Sequence, residues 1–101
     1  MKTMLTLTAM IVFTIMAQAQ PAAPSISNTC IGCHGQSGVS NNQIWPNLAG
    51  QKDGYIAKQL KAFKAGDRKD PMMSAMAQNL SDSDIDLLAK YFSSITTNCN
   101  Q

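Results

Sequence analysis

This chain of 101 residues contains a single histidine, and that scarcity limits its chemistry. Any metal held by His34 must take its other axial ligand from a different residue type, or keep that position open. Past the first twenty residues there is no strand-like alternation and no internal repeat, which excludes sheet-based and solenoid classes. A basic excess is also missing. The whole chain has 8 basic residues against 6 acidic, which does not suggest a nucleic-acid partner. The length leaves room for one domain and hardly for a second.

Against these absences stands Cys30-Ile31-Gly32-Cys33-His34. In a helical turn, residues i and i+3 share one face, so both thiols can reach the edge of one flat macrocycle. They can add to the two vinyl groups of a haem, and the adjacent imidazole can then bind the iron. No other common chemistry needs a histidine at that position. A thioredoxin-like Cys-x-x-Cys expects a βαβ context, which is missing here. A zinc site wants a second, separated pair of ligands, and only Cys99 remains. The motif therefore predicts one covalent haem c, attached through Cys30 and Cys33 and bound by His34.

The start of the chain reads as an export signal. Lys2 forms a minimal basic region and an apolar stretch runs from Met4 to Ala17. Ala17-Gln18-Ala19 offers the small residues that a signal peptidase reads, with cleavage before Gln20. An uncleaved anchor is the competing reading. However, the run is broken by Thr6, Thr8 and Thr14 and falls short of the roughly 20 apolar residues that span a bilayer. No cysteine stands at the cleavage site to take a lipid. The expected domains are thus a signal peptide over 1–19 and a mature unit over 20–101. Export fits the motif, because bacteria attach haem covalently beyond the cytoplasmic membrane. A soluble periplasmic protein is expected, carrying 7 basic against 6 acidic residues once Lys2 is removed. The 45% hydrophobic composition is inflated by the leader.

A mature chain of about 80 residues is marginal on a hydrophobic core alone, and a haem would supply a large apolar plate. Pro21 and Pro24 suggest an extended lead-in, then a short helix running into Cys30. Gly35, Gly38 and Asn41-Asn42 mark a loop. The carbonyl of Pro46 is a candidate acceptor for the second ring nitrogen of His34, or Pro46 is an ordinary loop proline. A helix from Asp53 through Ala65 carries Ile56, Leu60 and Phe63 on one face, with Gly66 as its stop. Lys58, Lys61 and Lys64 follow another face, either a solvated surface or part of a docking rim. Pro71 precedes Met72 and Met73, and with Met76 these are the methionines left after cleavage. Each is core filler or an iron ligand. Ser81 and Asp84 predict a capping-box start for a last helix ending near Thr96, with an apolar stripe of Ile85, Leu88, Ala89, Phe92 and Ile95.

The ordered set of motifs resembles the class I cytochromes c, of the small bacterial soluble monohaem kind, and one half of the dihaem cytochromes of the c-four type. The likeness runs from Cys30-Ile31-Gly32-Cys33-His34-Gly35 through Pro46-Asn47-Leu48-Ala49-Gly50-Gln51, Tyr55 with Gln59-Leu60, and Pro71-Met72-Met73. It continues through Leu80-Ser81-Asp82, Leu88-Ala89 and Tyr91-Phe92. The resemblance implies an all-α fold in which the C-terminal helix crosses the short helix carrying Cys30. It implies that the Pro46 carbonyl accepts from His34 and that Met73 is the distal ligand. In a helix over 73–78, Met73 and Met76 would share a face while Met72 points elsewhere. The lead before Cys30 is shorter than the family pattern, and the family does not explain Cys99.

The function expected on this reading is electron transfer, not catalysis, by a monomer with His34 and Met73 as axial ligands. Expected partners are a quinol-oxidising complex or another donor, and a terminal oxidase or reductase, met through a small transient interface. The rival is a haem protein that binds a small ligand, as a gas sensor or peroxidase, which needs an open distal site. A third reading is a haem subunit fixed in a larger enzyme. Cys99, left over from the pair, is expected to be a surface thiol without an intramolecular disulfide.

Overall fold

A computed structural model describes residues 9–16 and 22–97. The cleavage motif at 17–19 and Cys99 lie outside the described residues. Residues 9–16 are exposed and carry no helix, and no described helix is long and apolar enough to cross a membrane.

Among the described residues every regular element is helical. A single 3-10 turn, Ser25–Ser27, leads into α1 (Asn28–His34). Then come α2 (Asp53–Ala65), α3 (Met73–Gln78) and α4 (Asp82–Ser94). The first helix therefore does not stop at Cys30 but carries the whole motif. The last ends at Ser94, because Ile95 is extended and turns its side chain back into the core.

α4 begins as its sequence dictates. The Ser81 hydroxyl accepts the Asp84 N–H at 3.1 Å while the Asp84 carboxylate accepts the Ser81 N–H at 2.9 Å. Two amides that no preceding turn can satisfy are thereby paired. Its apolar stripe then forms the centre of the molecule. Ile85, Leu88, Ala89, Phe92 and Ile95 are buried with Ile56 and Leu80, each large side chain contributing about 1.5–3 kcal/mol.

α2 packs against both α4 and α3. Ile56 and Phe63 are buried, Leu60 is half-buried against the core, and Gly66 follows as the stop. α2 and α3 are stitched together by polar groups. The Gln78 amide donates to the Lys64 carbonyl at 3.0 Å, and the Lys64 ammonium donates to the Leu80 carbonyl. Lys64 is thus tied down, leaving Lys58 and Lys61 as the exposed members of the row. The crossing with the first helical segment is made by the 3-10 turn, which meets α4, while Ile26, Cys30 and Ile31 pack against the core.

Candidate functional site

α1 places Cys30 and Cys33 one turn apart, both as free, half-buried thiols. Cys30 packs against the hydrophobic core. That burial pushes its thiol above the ordinary range, and the neighbouring Thr29 hydroxyl opposes the shift. Ser27, fully buried, anchors the preceding turn by donating its hydroxyl to the Pro24 carbonyl at 2.6 Å.

His34 closes the helix and is only 7% exposed. The chain must reverse at once to leave room beneath it, and Gly35 makes that possible. Its φ is 91°, and a Cβ there would sit 1.9 Å from the Val39 carbonyl oxygen, so no other residue fits. Gly38 then lets two strands of loop approach. Its carbonyl accepts from the Leu48 and Ala49 amides at 2.8 and 3.0 Å, and a Cβ would press on the Phe92 ring at 3.2 Å. Asparagine side chains brace the rest of the loop. Asn47 accepts from the Ser40 N–H at 2.7 Å and Asn42 from the Ile44 N–H at 2.9 Å. The Gly50 N–H fastens the loop end to the Phe92 carbonyl of α4 at 2.9 Å.

The product of this bracing is one contact, His34 Nδ1 donating to the Pro46 carbonyl at 2.7 Å. A carbonyl can only accept, so Nδ1 must carry the proton, and in the neutral ring Nε2 then keeps its lone pair. A metal-binding imidazole requires that tautomer. Among the described residues no three His, Cys, Asp or Glu side chains gather as a metal cluster, so the zinc reading finds no support there. Two thiols one turn apart, beside an oriented imidazole, fit a covalent haem.

Met73 opens α3 and is half-buried, whereas Met72 is 52% and Met76 41% exposed. The one buried residue of that helix is Ala77. The Asp67–Asp70 loop holds a group that sequence reasoning passed over. The Asp70 carboxylate accepts the backbone N–H groups of Met72 and Met73 at 2.9 and 2.8 Å. These bonds, aided by the Arg68 charge, hold its carboxyl below the usual aspartate range. The signal was available in principle, since aspartate before proline favours a side-chain-closed turn. A shallow hollow behind this turn is lined by Phe63, Lys69, Pro71 and Ser74, and Met73 is not part of its wall.

Comparison with known proteins agrees with this layout. The family model described as Cytochrome c matches residues 19–96. Cytochrome c-554(548) of Halomonas halodenitrificans is 45% identical over 69 residues, covering 65% of this chain and 83% of that protein. The thiosulfate dehydrogenase electron acceptor of Thiomonas intermedia is 41% identical over 75 residues, 73% of this chain but 35% of its own length. Cytochrome c4 of Acidithiobacillus ferrooxidans superposes with a TM-score of 0.63 at 38% identity, covering 65% of this chain and 38% of that one. The chain thus spans most of the first relative and well under half of the other two. On these matches it belongs to the cytochrome c family, and with that membership come a covalent c-type haem and a part in electron transport.

Proposed function

We propose that the protein is a periplasmic one-electron carrier, exported and freed of residues 1–19, with its haem attached through Cys30 and Cys33. The haem supplies the redox couple. His34 would hold the iron through Nε2 while Nδ1 stays on the Pro46 carbonyl, and Met73 would supply the second protein ligand. A thioether favours ferrous iron and raises the potential, as does a dry apolar surround. The buried His34 ring, committed at Nδ1 and adjacent to two free thiols, is the observation that carries this reading. Its donor is a quinol-oxidising complex or a soluble dehydrogenase, and its acceptor is a terminal oxidase or reductase. The Thiomonas relative, named as an electron acceptor of thiosulfate dehydrogenase, makes a dehydrogenase donor reasonable. The chain itself holds and orients; it performs no bond chemistry on a substrate.

Denaturing mass spectrometry of the exported protein, with absorption spectra in both oxidation states, tests this. The expected result is the chain from Gln20 plus one haem, with a weak red iron–sulfur band in the ferric state. Haem that extracts into acidified solvent would sink the attachment. Ready carbon monoxide binding by the unmutated ferrous protein at neutral pH would transfer support to the small-ligand-binding rival.

A further inference from the structure

α3 is six residues long, too short to hold itself in helical form. Its one buried residue, Ala77, lies at the far end from Met73. The end that carries Met73 is therefore fastened by polar contacts, and these converge on Asp70. The Asp70 carboxylate takes the Met72 and Met73 amides at 2.9 and 2.8 Å, both lacking an acceptor within the helix. In return the Ser74 hydroxyl accepts the Asp70 N–H at 3.0 Å, and the Ser74 N–H reaches the Asp70 carbonyl at 3.0 Å. Pro71, between them, brings a fixed φ and no competing donor. The turn is tied in its turn to α2. Arg68, two residues back, donates to Gln59 at 2.7 Å and lies over the Phe63 ring at 4.6 Å.

We infer that Asp70 is a positioning residue for the distal ligand, its carboxylate setting how often Met73 leaves the iron by closing the first turn of α3. This rests on Met73 being that ligand. Carbon monoxide can bind ferrous iron only while Met73 is away, so its binding rate at saturating gas reads the opening of the turn.

Stopped-flow carbon monoxide binding to the ferrous holoprotein separates the possibilities. Asp70→Ala, which removes the acceptor, should speed binding about fivefold, the factor a lost helix cap is worth. Asp70→Asn keeps an acceptor oxygen and should stay within about twofold of the parent. Ser81→Ala strips α4 of its own cap, lowering thermal stability while leaving the gas rate unchanged. An unchanged rate in Asp70→Ala, or an equal rise in Ser81→Ala, overturns the inference. Met73→Ala checks the underlying reading separately. It should bind the gas fast, and a slow parental rate there removes Met73 as ligand. A fast Met73→Ala beside a slow Asp70→Ala removes only the role of Asp70. Amide hydrogen exchange on the unmutated holoprotein needs no variant: Met72 and Met73 amides should be protected, and exchange at the free-chain rate also overturns the inference.

Discussion

The two sides of the site are built to different standards. Around His34 the ring is buried, the chain reverses through a glycine that no other residue can replace, and the loop end is hydrogen-bonded to α4. Around Met73 the side chain is half-buried, and its short helix hangs on an exposed carboxylate. Rigid packing, on the His34 side, opens only when the core opens. Exposed hydrogen bonds, on the Met73 side, open locally and often. With Met73 as the proposed distal ligand, the asymmetry suits a carrier whose cofactor must never leave but whose distal contact can be adjusted.

The largest break expected is at the thiols. Cys30→Ala with Cys33→Ala should leave little stable protein, measured as the yield of folded, coloured material from the expressing cells, because the small core loses its fixed plate. Gly35→Ala attacks the His34 side through the backbone. A positive φ with ψ at 150° is a region that glycine alone readily occupies and costs another residue about 1–3 kcal/mol, and the contact with the Val39 carbonyl adds to it. Thermal unfolding should register that loss, and an unchanged midpoint would mean the loop rearranges freely. Met73→Ala should be milder for the fold but decisive for the iron. The potential should fall and the red band vanish, whereas Met72→Ala and Met76→Ala keep both. Loss of the band in Met76→Ala instead would reassign the ligand.

Acid should reveal a smaller effect. Asp84 and Asp70 both sit below the ordinary aspartate range, chiefly through backbone N–H groups they accept. Their contribution is present above the unfolded-state pKa and is lost as pH falls through the lower folded value. Asp84→Asn should therefore flatten the stability decline below the usual aspartate range, as followed by acid titration of helicity. Smallest is the charge on α2. Lys58→Glu or Lys61→Glu should slow electron transfer to the natural partner at low salt and leave the potential in place. A salt-independent rate would make that row an ordinary solvated face.

The parts of this molecule that follow from period and adjacency were legible in the sequence. The α4 stripe, its Ser81 start and the extent of α2 depend on residues near one another in the chain. The cysteine pair with its histidine is likewise local. Less legible was anything built by a long return. The Pro46 carbonyl stays ambiguous until the loop is seen to close on Gly38, and Lys64 reads as one of a row until Leu80 comes into contact. The role of Asp70 is less legible still, because its partners are main-chain amides, which every sequence possesses and none displays.

The contact between His34 and Pro46 has a consequence for how such a protein can vary. The acceptor belongs to the main chain, so no exchange of side chain at residue 46 can delete it. Selection acting there sees only backbone shape, and a random library at that position should yield variants that shift the loop but none that simply unmask the imidazole. On the proposed ligation, heritable adjustment of the redox couple is thereby channelled to the opposite face, where a single codon, that of Asp70, specifies the one carboxylate that both main-chain amides share.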